Sequence, residues 1–285
     1  MNELALRWFA PAKLNLFLHV LGRRDDGYHQ LQTLFQLLDE GDTLRFEPLC
    51  NGELQLEVRS NTTGQRLPLE NNLILQAVRV LRTHAGVPAL GARISVDKRI
   101  PMGGGLGGGS SDAATTLIAL NRYWQLNLSQ TDLKALGLQL GADVPLFIDG
   151  RSAWGEGVGE QLQAVTLPPR WYLVVTPDCA VSTVEIFSHE NLTRNSPAIR
   201  MADFLAGGCR NDCEPVTCEL YPEVARALAW LTQFGLARMT GTGAGVFASF
   251  AAENTANAAL SQLPARWQGF VARGLNSLEP GRYPA

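Results

Sequence analysis

Six glycines fall within the seven positions Gly103 to Gly109, broken only by Leu106, in the stretch Pro101-Met102-Gly103-Gly104-Gly105-Leu106-Gly107-Gly108-Gly109-Ser110-Ser111. Inside regular structure each glycine costs about 0.5–1 kcal/mol relative to alanine. A run of six therefore implies a compensating gain, the close approach of a ligand to bare backbone. Successive N–H groups can converge there on one concavity, and a helix start adds a positive dipole end. That chemistry suits a di- or triphosphate. The run is not a Walker A loop, which needs Lys and then Ser or Thr after the last glycine; Ser110-Ser111 stands there instead. Nor is it a dinucleotide fingerprint, since no acidic residue follows a second strand at the required distance. A hinge or tight packing turn is the competing reading. A second constellation is Tyr28-His29, directly after Asp25-Asp26-Gly27. An aromatic face beside a two-nitrogen hydrogen-bonder suits a flat base, and Phe187 in "TVEIFS" can supply the opposite face. Ordinary packing is the alternative for Tyr28.

Both constellations need elements to hold them. Leu14 to Val20 reads as an apolar strand, followed by a turn at Asp25-Asp26-Gly27. Residues 31–49 read as extended structure ending in a polar turn, and 52–60 alternate at period two, as in a half-buried strand. Residues 71–86 predict a helix with Asn before it, Gly86 after it and Leu73, Ala77, Val80 and Leu81 on one face. A strand over 92–101 runs into the glycine loop, and a helix follows over 111–126. A further helix, capped by Ser129 or Thr131, stops near Gly141. Residues 155–170, with Pro168-Pro169, interrupt regular structure and are read as the boundary between a domain over 1–160 and another over 161–285. Beyond it come a strand at 171–177, a helix at 221–235, and two strands around a second glycine-rich turn, Gly241 to Gly245. A helix at 254–267 and a strand at 269–275 complete the chain. No regular β-α-β alternation runs through these elements, so the expected class is α+β.

Bulk properties narrow the function classes. The 285 residues are 46% hydrophobic and 18% charged, with a formal net charge of −3, an ordinary globular composition. Basic residues are scattered, which argues against nucleic acid as a partner. No run of about 18 apolar residues suggests a membrane span, and Met1 to Ala10 lacks the layout of a signal peptide, so the expected compartment is the cytoplasm. The five cysteines, Cys50, Cys179, Cys209, Cys213 and Cys218, show no C-x-x-C spacing. They read as reduced thiols rather than a disulfide framework or zinc site.

The glycine stretch, with the following Asp112-Ala113-Ala114, resembles the phosphate-loop motif of the GHMP kinases. "PAKLNLFLHVLGRRDDGYHQLQTLF", Pro11 to Phe35, resembles the opening motif of that superfamily, and "MTGTGAGVFASF", Met239 to Phe250, the third. The three stand in family order over nearly the whole chain. The resemblance implies a two-domain GHMP kinase fold, with an N-terminal nucleotide-binding domain, a C-terminal ferredoxin-like domain and the active site in the cleft between them. The opening motif, with "LGADVPLF" (Leu140 to Phe147) and "NDCE" (Asn211 to Glu214), is similar to one branch in particular. That branch phosphorylates the tertiary 2-hydroxyl of a cytidine-diphosphate-linked methylerythritol with ATP, in isoprenoid precursor synthesis.

On that resemblance, Lys13 and Asp143 are the catalytic pair. A carboxylate can accept the acceptor hydroxyl's proton, and an adjacent ammonium keeps the carboxylate ionised and steadies the transferring group. Taken alone, Lys13 could snorkel to solvent and Asp143 could cap a turn. Tyr28, His29 and Phe187 are implied to hold the cytidine, with Asn15 and Thr183 near the substrate. Val184 stands where a proline is common in the family. Residues Pro101 to Ser111 are implied to wrap the ATP phosphates, with Asn72 and Lys98 as further nucleotide contacts. Mg²⁺ is expected with the nucleotide; Ser110 and Ser111 are the hydroxyls near it, and no residue is assigned as a metal ligand. The Gly241–Gly245 turn either buttresses the first loop, lines the substrate side, or is a plain hairpin turn. Another GHMP-type kinase and a catalytically silent sensor of the same fold are the rival readings. Intact Lys13, Asp143 and glycine loop argue against the sensor.

Overall fold

The computed structural model describes residues 7–49, 52–60, 72–207 and 209–279; Cys50 and Met1 to Leu6 lie outside them. The chain opens with two long antiparallel strands, β1 (Arg7–Arg23) and β2 (His29–Leu49). β1 is longer than the apolar run Leu14 to Val20 suggested. β2 also passes straight through Asp39-Glu40-Gly41-Asp42, where turn chemistry is dense. Pro11 pairs with Gly41 and Ala10 with Asp42, so a partner strand overrides the local turn preference. Then come β3 (Leu54–Ser60), α1 (Leu73–Ala85), β4 (Gly91–Lys98), α2 (Gly108–Tyr123), α3 (Gln130–Leu140), α4 (Val144–Asp149), β5 (Ala153–Glu156) and β6 (Gln161–Ala164). The second half holds β7 (Trp171–Thr176), α5 (Thr183–Ser188), α6 (Met201–Leu205), α7 (Glu214–Leu220), α8 (Pro222–Leu231), β8 (Ala237–Met239), β9 (Val246–Phe250), α9 (Glu253–Leu260) and β10 (Gln268–Leu275). α9 stops short of the predicted Trp267 because its last turn closes on Ser261, and Pro264 has no N–H to extend the ladder.

The strands form one sheet in the order β3-β4-β2-β10-β7-β9-β8, with β1, β5 and β6 attached through β2. β3 and β4 are parallel, and the other strand pairs are antiparallel. One core lies under α1 to α4, where Ala113, Ala114, Leu117 and Leu120 of α2 meet Leu44, Phe46, Ile94 and Val96 of the sheet. The buried face of α1 is Ile74, Ala77, Val78 and Leu81; Leu73 and Val80 flank it. A second core gathers α7, α8 and α9 on β7 to β9 and takes Leu18 and Val20 from β1. A third joins the halves through Leu14, Leu16, Phe17, Leu34, Leu106, Tyr172 and Phe247. The long β1 thus serves every core, and what lines its middle is fixed from both sides.

Candidate active site

The middle of β1 is irregular. Its register with β2 shifts between Pro11 and Lys13, and again between Asn15 and Leu18. Such bulges re-aim side chains locally, and here they bracket Lys13 and Asn15, two residues apart on one face. Lys13 is buried, yet its ammonium reaches Asp143 Oδ2 at 3.2 Å and donates to Asn15 Oδ1 at 2.5 Å. Asn15 Nδ2 in turn donates to Thr33 Oγ1 at 2.9 Å, and Phe35 lies under the ammonium, 5.6 Å from its ring centre. Snorkelling is therefore not what Lys13 does. Asp143 sits at the N-cap position of α4 but makes no capping hydrogen bond, so its carboxylate is not committed to the helix.

The glycine loop arrives from β4 and closes over Lys13. Lys13 N donates to Leu106 O at 3.0 Å. Gly107, the N-cap residue of α2, has φ +73°, and a Cβ there would stand 2.8 Å from Phe147 Cζ and 3.1 Å from Lys13 Cγ. The first-turn N–H groups of α2, Gly108 to Ser110, have no acceptor within the helix. Ser110 faces the cavity. Ser111 does not: it is fully buried, and its N–H is bound to Gly107 O at 2.8 Å.

The Gly241–Gly245 turn both buttresses the first loop and lines the cavity. Ala244 N donates to Gly103 O at 2.9 Å and Gly245 N to Gly104 O at 3.1 Å. Gly105 has φ +67°, and a Cβ there would strike Thr240 O. Thr240 Oγ1 also accepts from Asn15 N at 2.9 Å, joining turn, loop and β1. "NDCE" holds the turn from behind, with Asn211 Nδ2 donating to Met239 O at 2.9 Å and Gly241 O at 2.7 Å. Thr240 and Asn211 act through backbone partners, and the sequence carries no signal of that beyond their nearness to the motif.

These pieces enclose a cavity of about 300 Å³ lined by Lys13, Asn15, Thr33, Gly105, Gly107, Ser110, Asp143, Thr183, Phe187 and Thr242, among others. A second hollow opens beside it, lined by Arg23, Tyr28, His29 and Val184, and sharing Leu31, Ala142, Val158, Thr183 and Phe187 with the first. Tyr28 is 65% exposed, which removes the packing alternative for it. An Asx turn places it, Asp26 Oδ1 accepting from Tyr28 N at 3.1 Å. His29 stacks on Phe187 with ring centres 5.0 Å apart, and Thr183 Oγ1 lies 3.0 Å from Thr242 Oγ1.

Asn72 and Lys98, the two further nucleotide contacts implied by the resemblance, each have protein partners. Asn72 caps α1, accepting from Ile74 N at 2.9 Å, and does not line the cavity. The Lys98 ammonium is buried between Asp42 and Asp112, 2.7 Å from Asp112 Oδ2. Of the cysteines, Cys213 and Cys218 are held as thiols, their pKa values pushed up to about 12 and about 11 chiefly by burial.

A glycine-lined cavity, a lysine-carboxylate pair within it and a second glycine turn bonded to the first, all on this mixed sheet, define the class: a small-molecule kinase of the GHMP type. Sequence profiles agree, the one described as GHMP kinases N terminal domain matching residues 72–151 and GHMP kinases C terminal matching 190–269. A 4-diphosphocytidyl-2-C-methyl-D-erythritol kinase from Pseudomonas aeruginosa is 56% identical over 94% of this chain and 93% of its own. One from Alkalilimnicola ehrlichii is 55% identical over 94% of this chain and 90% of its own. The chain belongs to the 4-diphosphocytidyl-2-C-methyl-D-erythritol kinase family. A crystal structure of 4-(cytidine 5'-diphospho)-2C-methyl-D-erythritol kinase superposes with a TM-score of 0.80 at 33% identity, covering 94% of this chain and 99% of that one. The mevalonate kinase of Methanococcus jannaschii, at 17% identity, TM-score 0.68, and 95% and 98% coverage, shares the fold. Among the described residues no helix is long and apolar enough to cross a membrane.

Proposed function

We propose that this chain transfers the γ-phosphoryl group of ATP to the 2-hydroxyl of 4-diphosphocytidyl-2-C-methyl-D-erythritol, giving the 2-phosphate and ADP. The observation that carries this reading is the continuity of the two hollows. A phosphate-sized cradle with Lys13 and Asp143 opens directly into a recess with Tyr28, His29 and Phe187. Residues 1–160 would form the nucleotide half and 161–285 the other, with transfer at their junction.

In this reading the backbone from Gly103 to Ser110 receives the phosphates. Asp143 accepts the hydroxyl proton as the oxygen attacks, and Lys13, anchored by Asn15, orients that carboxylate and faces the charge on the transferring group. The cytosine lies between Tyr28 and Phe187, and His29 reads its edge. Mg²⁺ fits this donor set as a companion of the nucleotide, because it keeps several waters and can be held largely by substrate phosphate oxygens. Among the described residues no group of three or more His, Cys, Asp or Glu could hold a metal ion. The Ser110 hydroxyl, which lines the cavity, is the side chain that would face it. When bound it would neutralise phosphate charge. Mass spectrometry for a phosphate added to the diphosphocytidyl compound with Mg-ATP tests the reading; turnover of homoserine or mevalonate instead would replace it.

Two variants separate the halves of the site. Gly107→Val should weaken ATP by at least ~10-fold, the scale of one lost charge-assisted hydrogen bond, and weaken the cytidine compound far less. Separate titrations check this, and equal losses would mean general misfolding. Tyr28→Ala should weaken the cytidine compound by about 10- to 100-fold, the scale of one lost base-aromatic stack, and leave ATP unchanged. Unchanged affinity for the cytidine compound would make "DGYH" a structural turn only.

A further inference from the structure

Arg194 is not among the residues lining either hollow, yet its guanidinium is densely engaged with His29 and Phe187, which line the base recess. Nε donates to His29 Nε2 at 3.1 Å. Nη2 donates to Phe187 O at 2.9 Å and His189 O at 2.8 Å, and Nη1 to Leu192 O at 3.2 Å. An arginine carries five N–H donors, no acceptor, and does not deprotonate. Its partner nitrogen on His29 must therefore offer a lone pair. That excludes the imidazolium and places the single ring proton on Nδ1. The same guanidinium holds the carbonyl of Phe187, whose ring His29 stacks on at an interplanar angle of 27°. Stacked rings touch at roughly 3.5 Å, so a 5.0 Å centre separation is a slipped stack that leaves part of the Phe187 face open.

We propose that Arg194 is a positioning residue that fixes His29 as a neutral Nδ1–H donor, and so makes the recess select cytosine over uracil. The inference rests on the functional reading above. Cytosine presents unprotonated N3 and O2, both acceptors, to a donor at its edge; uracil presents a protonated N3. A neutral His29 locked with its proton on Nδ1 satisfies the first and opposes the second. Released from Arg194, the ring can carry its proton on either nitrogen, and the discrimination falls. A depressed His29 pKa, caused first by burial and then by Arg194 and Arg23, fits a ring kept neutral.

Nitrogen NMR of ¹⁵N-histidine protein tests the first half without any variant. The chain has four histidines, and His29→Gln assigns the signal. The expected result at neutral pH is Nδ1–H for His29, moving toward Nε2–H in Arg194→Met. For Arg194→Met the KM for the cytidine compound should rise about 10-fold, the scale of one hydrogen bond in a buried site. The kcat and the KM for ATP should stay near wild type. The kcat/KM ratio between the cytidine compound and its uridine counterpart should fall by a similar factor, and Arg194→Lys should not restore it, since an ammonium lacks the planar fork. An Nε2–H tautomer in active wild-type enzyme overturns the inference, as does an unchanged cytidine-to-uridine ratio in a folded Arg194→Met. Wild-type enzyme that fails to phosphorylate the cytidine compound overturns the functional reading itself, and the selectivity built on it.

Discussion

Asp143→Asn is expected to lower kcat by about 10²–10⁴-fold, the usual contribution of a positioned general base, with thermal stability and ATP affinity close to wild type. The geometry separates these effects. Asp143 is at the head of α4 yet makes no cap bond, so replacing it removes no capping hydrogen bond. Its side chain is partly exposed to the cavity, and its ion pair with Lys13 at 3.2 Å is the interaction that changes. Lys13 keeps its bond to Asn15, so the ammonium is not left without a partner. Asparagine preserves shape but cannot take a proton. A variant retaining more than about a tenth of wild-type kcat would fall outside the range for a general base and would dismiss Asp143 from that role. A variant that lost ATP binding or melted early would instead assign it a structural part.

Features with local causes were legible in the sequence. α1 has its Asn72 cap and its Gly86 stop where the pattern places them, and Ser129 caps α3 with a full capping box. The glycine stretch is likewise a local signal, because only a backbone requirement explains so many residues without side chains. What depended on distant partners was not legible. Residues 31–49 were legible as extended, but the pairing of Gly41 and Asp42 with Pro11 and Ala10 that carries β2 through this polar stretch was not. α4 and α5, of six residues each, are too short to show a helical period. Lys13 is a catalytic candidate from a family resemblance, but the bulges that aim it appear only when β1 meets β2. Arg194 gave no signal at all, since its partners are mostly backbone carbonyls, which look alike in any sequence. Lys98 is a nucleotide contact by family resemblance, and nothing in the sequence says that Asp42 will be folded against it.

Lys98→Met is expected to destabilise the protein by about 3–5 kcal/mol, the scale of breaking a buried ion pair by removing one partner. Lys98, Asp42 and Asp112 are each less than a tenth exposed. Asp42 is well satisfied, Oδ1 accepting from Arg99 N at 2.5 Å and Ile100 N at 2.9 Å. Asp112 is not: Oδ1 finds no hydrogen-bond partner among the described residues. With one ammonium for two carboxylates, the excess charge falls on Asp112, whose pKa is raised to about 7, first by burial and further by Asp42, against the pull of Lys98. The sign of the linkage follows. Between the ordinary aspartate value, about 4, and about 7, the folded state holds a proton that the unfolded state has lost. Stability from this group is therefore full below the lower value and declines as pH rises through the upper one. The loss in Lys98→Met should be greater at pH 8 than at pH 5, because the stranded carboxylates can take up protons at the lower pH. Asp112→Asn, uncharged throughout, should remove the wild-type decline between those two pH values. Urea unfolding of the three proteins at both pH values measures this, with midpoints shifting at constant m. If Lys98→Met instead kept its urea midpoint and raised only the KM for ATP, the lysine would be facing the nucleotide. If the midpoint difference between wild type and Asp112→Asn were the same at both pH values, Asp112 would not hold the proton, and the buried cluster would carry its full negative charge.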